Sequence, residues 1–300
     1  MGVEIRAEGL VMTYGDLRAV DGVSFTVAPG EFFGLLGPNG AGKTTTLEMI
    51  EGLRKPQEGT VRIDDHEPWR REPELQRRMG VQLQASSFFE RLTAREQLDT
   101  FGALYGVAAG RTDEMLEQVG LVDKADIRTE DLSGGQKQRL SIACALIHDP
   151  DVVFLDEPTA ALDPQARRNL WDVLRTINDS GRTVVLTTHY MDEAEVLCDR
   201  VAIMDSGRVL ELDTPAALVR GLDAPVRISL APGTLTPEAA RELAGDDPVE
   251  DEASSLTITT REPSRILTAL AQRDALAGLS VKGASLEDVF LDLTGREYRA

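Results

Sequence analysis

Gly37-Pro38-Asn39-Gly40-Ala41-Gly42-Lys43-Thr44 fits the pattern GxxxxGK[ST], a loop able to wrap phosphate. Its glycines let the backbone curl until successive amide N–H groups converge on one phosphate. A helix starting at Lys43 would add the positive end of its dipole. Lys43 carries the charge that reaches β- and γ-phosphates, the Thr44 hydroxyl suits Mg²⁺, and Thr45 can cap a phosphate oxygen. Farther along, four apolar residues, 152–155, end in Asp156 and Glu157. Carboxylates at the end of a buried strand need partners, because unpaired burial costs several kcal/mol. Mg²⁺ supplies one for Asp156, usually through a water, and Glu157 can then orient and deprotonate an attacking water. Taken alone, the acid pair reads equally well as a solvated strand end. The phosphate loop upstream tips the reading toward nucleotide hydrolysis.

These groups need elements to hold them. Residues 3–12 and 23–27 alternate as strands joined by a turn with Gly15-Asp16 and Asp21-Gly22. A buried strand over 32–36 leads into the glycine loop, and a helix runs from Lys43 through Gly52. Short strands follow at 61–63 and 80–84. From about 86 to 149 the apolar spacing is helical (Leu98, Phe101, Leu104, Tyr105; Met115, Leu116, Val119), an all-helical insertion. Strands resume at 152–155, 184–187 and 201–204, with helices over 164–178 and 191–198. Alternating strands and helices imply an α/β core with a largely parallel sheet. A closing strand at about 207–215 and a short helix carry the chain to Gly221. Turn-rich composition (Asp223-Ala-Pro225, Ala231-Pro-Gly233, Gly245-Asp-Asp-Pro248) then marks a boundary, giving domains 1–222 and 223–300. The second reads β-α-β-β-α-β plus a final helix from Ser285, a small α+β domain of ferredoxin-like type.

Composition narrows the partners. The net charge is −19, with 14 acidic against 8 basic residues from Asp223 onward and 37 against 24 before it. The acidity is spread, and such a surface repels nucleic acid and anionic lipid in the absence of a basic patch. No nucleic-acid partner is expected. No run approaches the ~18–20 apolar residues of a membrane-spanning helix, and Met1 to Arg6 lacks the start of a signal peptide. The expected location is the cytoplasmic face of a membrane, reached through a partner by a chain itself soluble. Cys144 and Cys198 are far apart and read as reduced structural thiols, and the histidines show no metal spacing.

Leu132-Ser133-Gly134-Gly135-Gln136 lies between the phosphate loop and the acidic strand end. LSGGQ in that place resembles the ABC ATPases, and the resemblance covers about residues 3–220. It implies a P-loop NTPase (RecA-like) core with an antiparallel β subdomain and the helical insertion. ATP and Mg²⁺ are the implied ligands. The resemblance also implies a second copy of the protein, whose bound γ-phosphate faces the Ser133 hydroxyl and the helix N-terminus it opens, with Gly134 and Gly135 allowing close approach. The remaining motifs fall in family order. Tyr14 matches the aromatic that stacks on adenine, Gln84 the glutamine that contacts Mg²⁺ and water, and Asp163 the aspartate that acts across the dimer interface. His189 matches the switch histidine at the γ-phosphate.

Thr188-His-Tyr-Met-Asp-Glu-Ala-Glu195 and the ending Ala284-Ser-Leu-Glu-Asp-Val-Phe-Leu-Asp-Leu-Thr-Gly295 look like daunorubicin-resistance-type export cassettes. Such cassettes pair with a separate integral-membrane permease of the ABC-2 type, which implies efflux of a drug-like or other hydrophobic compound. The alternative is a non-transport ABC ATPase acting on DNA or ribosomes. The stripe Leu286, Val289, Phe290, Leu293 either packs on its own domain or helps hold a homodimer. Phe88 and Phe89, in the stretch from Ala85 to Arg91, either receive a permease helix or belong to the core of the insertion.

Overall fold

The computed structural model describes residues 2–82, 88–108, 110–252 and 255–295. Its contacts divide the chain into two compact units, Met1–Pro215 and Ala216–Glu297.

The first unit opens with β1 (Ile5–Tyr14) and β2 (Leu17–Val27), an antiparallel hairpin turned at Gly15, whose φ is +57°. Next come β3 (Phe32–Leu36), α1 (Lys43–Ile50) and β4 (Glu58–Ile63), and β4 returns to pair with β1. Two short turns of helix precede the next strand: a 3₁₀ turn at Pro68–Arg70 and α2 (Pro73–Arg77), each with proline in its first turn. After β5 (Met79–Gln82) the helical segment holds α3 (Ala94–Tyr105), α4 (Arg111–Gln118) and α5 (Gly134–Leu146). Thr93 and Glu96 cap α3 reciprocally, and Gly106 at φ +68° ends it. The core of the unit then resumes with β6 (Val152–Asp156), α6 (Pro164–Asp179), β7 (Thr183–Thr188), α7 (Met191–Leu197), β8 (Arg200–Asp205) and β9 (Arg208–Asp213).

The main sheet has the order β5-β6-β7-β3-β8-β9, parallel except for β9. Every residue of β3, β6 and β7 is buried, as expected for parallel strands covered on both faces. Packing is close: a Cβ on Gly80 would sit 2.3 Å from the Ala145 carbonyl oxygen, so only glycine lets α5 approach β5 this way. Since β3, β6 and β7 are parallel neighbours, their C-terminal ends share one edge of the sheet. Ligand sites of such sheets lie beyond that edge. Among the described residues no helix is long and apolar enough to cross a membrane.

The helical segment departs from its sequence periodicity at one end. Leu98 is fully buried, but Leu104 is 76% exposed, and Tyr105 stacks on His148 at 3.9 Å instead of entering a core.

The second unit takes in most of α8 (Pro215–Gly221), followed by β10 (Val226–Leu230), α9 (Pro237–Ala244), β11 (Val249–Glu252), β12 (Ser255–Thr260), α10 (Pro263–Gln272), β13 (Ser280–Lys282) and α11 (Leu286–Thr294). Its sheet is antiparallel in the order β11-β12-β10-β13, the ferredoxin-like arrangement of a β-α-β-β-α-β chain. Ile228, Leu230, Leu256 and Ile258 share a core with Leu243 of α9 and Ile266 and Leu270 of α10. Leu286, Val289 and Phe290 of α11 are buried, and Leu293 is half-buried.

Candidate functional site

The glycine loop joins β3 to α1, and its geometry excludes side chains at two points. A Cβ on Gly37 would meet the Met204 carbonyl oxygen at 2.2 Å. One on Gly42, at φ +96°, would meet the Ala19 carbonyl oxygen at 2.4 Å. Lys43 is almost wholly buried, and its Nζ donates to the carbonyls of Gly37 (2.9 Å) and Pro38 (3.1 Å). The ammonium therefore folds back onto the start of the loop that its own backbone ends. Burial pushes its pKa down, opposed by the charge of Glu157.

The ends of β6 and β7 complete the cluster. Thr44 Oγ1 donates to Asp156 Oδ1 at 3.1 Å, and Thr187 Oγ1 donates to the same oxygen at 2.5 Å. Burial raises the Asp156 pKa, and those two hydroxyl bonds pull it back. The next residue, Glu157, stands at φ +47°, a left-handed conformation that costs a non-glycine residue about 1–3 kcal/mol. Thr187 holds it there: Glu157 N–H donates to the Thr187 carbonyl (3.2 Å) and to Thr187 Oγ1 (3.0 Å). Glu157 Oε1 lies 3.3 Å from Lys43 Nζ, and Oε2 lies 3.2 Å from His189 Nδ1. Lys43, Thr44, Asp156, Glu157 and His189, which are far apart in the sequence, thus meet at one sheet edge.

A second cluster forms elsewhere in the unit. Ser133 caps α5 in a reciprocal box with Gln136. Asp163 caps α6, accepting from the amides of Gln165 (3.0 Å) and Ala166 (2.9 Å). The two caps border one cavity of about 220 Å³, lined by residues 133–136, Arg139 and the 161–163 turn together with α6. None of residues 37–45 lines it. Ala161 at φ +60° bends the chain between Glu157 and Asp163.

The other expected residues are more scattered. Tyr14 ends β1, 41% exposed, with the Arg54 guanidinium 5.3 Å from the centre of its ring. Thr45 is half-buried at the start of α1. Gln84 lies outside the described residues, as do Ala85, Ser86 and Ser87.

The donor set suits Mg²⁺. Thr44 and Asp156 present two adjacent oxygen donors, and Mg²⁺ takes its remaining ligands from phosphate and water. Among the described residues no group of three His, Cys, Asp or Glu gathers as a self-sufficient metal site.

Sequence reasoning missed Thr187 and Glu51. Thr187 carried a signal: a hydroxyl directly after the apolar run Val184-Val185-Leu186, in register with Asp156. Glu51, just past α1, is 7% exposed, and burial followed by the nearby charges of Asp156 and Glu48 pushes its pKa up to about 8. No spacing pattern in the sequence marks it.

Comparison with known proteins settles the family. The family profile described as ABC transporter matches residues 20–160. The Nod factor export ATP-binding protein I of Paraburkholderia xenovorans is 43% identical over 96% of this chain and 95% of its own. The chain belongs to the ABC transporter family. Another ABC relative, the daunorubicin/doxorubicin resistance ATP-binding protein DrrA of Streptomyces peucetius, is 38% identical over 97% of this chain and 92% of that protein. Among solved ABC cassettes, a dimeric post-hydrolysis state bound to ADP and Pi superposes with a TM-score of 0.63 at 30% identity. That match covers 70% of this chain and 98% of the other. As an ABC-transporter ATP-binding subunit, the protein is an ATPase with the RecA-like core, antiparallel sheet and helical subdomain of its relatives.

Proposed function

We propose that two copies of this chain close around two ATP molecules and that the closure drives export through a separate ABC-2 type permease. One observation carries the two-copy reading: the cavity at Ser133 and Asp163 contains no residue of the phosphate loop. In this reading each ATP is gripped by residues 37–45 of one copy and by Ser133, Gly134, Gly135 and Gln136 of the other. Asp163 lies at the seam, and Tyr14 stacks on adenine.

Each group has a role suited to its place. Lys43 binds the β- and γ-phosphates. Thr44 and Asp156, with Gln84, would hold Mg²⁺, which when bound neutralises phosphate charge. Glu157 orients the attacking water and takes its proton, and His189 contacts the γ-phosphate. The left-handed turn at Glu157 aims a carboxylate where a relaxed strand would not. Loss of the γ-phosphate contacts then lets the copies separate, a ligand-driven switch.

Export of a drug-like or other hydrophobic compound draws support from two relatives, one named for Nod factor export and one for daunorubicin/doxorubicin resistance. The permease contact is assigned to the stretch from Ala85 to Arg91, of which Phe89, among the described residues, is 60% exposed. Exposed aromatics of this kind suit an interface. The protein then sits at the cytoplasmic face of the membrane as a peripheral subunit, with residues 1–222 as its ATPase domain and 223–300 as an accessory domain.

The test is copurification of the full chain from solubilised membranes. Recovery of a six-span membrane protein, with ATP turnover altered by its presence, is the expected result. Turnover stimulated instead by DNA or ribosomes would overturn the transport reading.

A further inference from the structure

Glu193 is fully buried in α7, four residues past His189. A carboxyl group shut away from water costs several kcal/mol unless hydrogen bonds compensate it. Trp171 Nε1 on α6 donates to Oε1 at 3.1 Å. The Thr188 and Thr159 hydroxyls face the same carboxyl, and both threonines are buried. Arg167, the cation whose charge reaches it, lies over the Tyr190 ring at 3.8 Å, and that ring packs on His189 at 4.1 Å. Thr188 immediately precedes His189, and Thr159 stands two residues past Glu157. One buried carboxyl therefore touches both segments that carry the chemistry. Among the described residues, Glu193 Oε2 and Thr159 Oγ1 each lack a hydrogen bond of full geometry, although the side chains are neighbours.

We propose that Glu193 is a positioning residue for ATP hydrolysis, linking the strand end before His189 to the turn after Glu157 through Thr188 and Thr159. The Thr188 side is anchored, because Trp171 fixes the carboxyl and Thr188 Oγ1 accepts from the Tyr190 amide at 2.9 Å. The Thr159 side is open, and a small shift of the 157–163 turn completes its bond. That shift would bring Glu157 into a fixed relation with His189 when nucleotide is gripped. The idea rests on the roles given above to Glu157 and His189.

The test uses the full chain with ATP and Mg²⁺, comparing Glu193→Gln, Glu193→Leu and Thr159→Val. Gln keeps an acceptor for Trp171 and a donor for Thr159, so its kcat should stay within about threefold of the parent. Leu and Thr159→Val should each lower kcat about 10- to 100-fold, the cost of a slight misplacement, with KM for ATP unchanged. Combining Glu193→Leu with Thr159→Val should cost no more than either alone, since both break one link. A purely structural role predicts otherwise: Gln as harmful as Leu, or KM rising in step with the fall in kcat. Either result overturns the proposal, as does unchanged kcat in Thr159→Val, which decides the matter if Glu193→Leu does not fold. Should Glu157→Gln itself keep full turnover, the assignment of Glu157 fails first, and the two failures are told apart.

Discussion

The Lys43 ammonium sits 3.3 Å from Glu157 Oε1, with both side chains nearly removed from water. The cation of the phosphate loop is thus paired with the carboxylate at the end of β6. Incoming phosphates offer that ammonium a more highly charged partner. On the proposed reading, its transfer to them would free Glu157 to face water, so that substrate binding and activation of the base would become one event.

Lys43→Ala removes the cation from both partners. Turnover should fall by at least about 10²–10³-fold, as when one electrostatic contact to the reacting group is deleted. Phosphate release from ATP measures it, and retention of full activity would refute the phosphate assignment.

Glu157→Gln keeps the shape of the site and removes the carboxylate proposed as the base. Hydrolysis should drop about 10²–10⁴-fold, while ATP still binds. The variant should elute as a dimer in ATP on size-exclusion chromatography, and a monomer under those conditions would count against the two-copy scheme.

Thr187→Val deletes the hydroxyl that donates to Asp156 and accepts from the Glu157 amide. Leaving those buried groups short of a partner should cost about 1–3 kcal/mol of stability, read by denaturant unfolding. The strained Glu157 turn loses one of its two backbone restraints as well, so kcat should fall more than ATP affinity. Equal stability and equal kcat would remove Thr187 from the site.

Glu51 makes a pH prediction. Burial raises its folded pKa to about 8, above the ordinary carboxylate value of 4.5. The folded state therefore holds this proton more tightly than the unfolded chain does. The associated stability is complete below pH 4.5 and is lost as pH climbs through about 8. Glu51→Gln should flatten that decline in thermal melts between those limits. A variant whose melting temperature tracks the parent across the range would show that Glu51 does not titrate as described.

The sequence disclosed the candidate reacting groups better than the residues packed around them. Lys43, Asp156 and Glu157 declare themselves because glycines and paired acids at the ends of apolar strands have few other uses. The parallel sheet follows from alternating elements, and the ferredoxin-like second unit follows from strand and helix order alone. Thr187, Glu51 and Glu193 stayed hidden, since each meets its neighbours only through the fold, and no local spacing records that. Leu104 misled for the opposite reason: it keeps the helical rhythm of a core position at the end of α3 and yet faces solvent. The turns at Pro68–Arg70 and Pro73–Arg77 are too short to impose an apolar period.

The cavity beside Ser133 is assembled without any part of the loop that begins at Gly37. On the two-copy reading, that division makes the protein sensitive to dilution and to mixed populations. A solitary chain is idle however much nucleotide surrounds it, and specific activity climbs with concentration until every chain has found a mate. In a blend of sound and damaged chains, a flaw at Ser133 spoils the neighbour's pocket, whereas a flaw at Lys43 spoils its owner's.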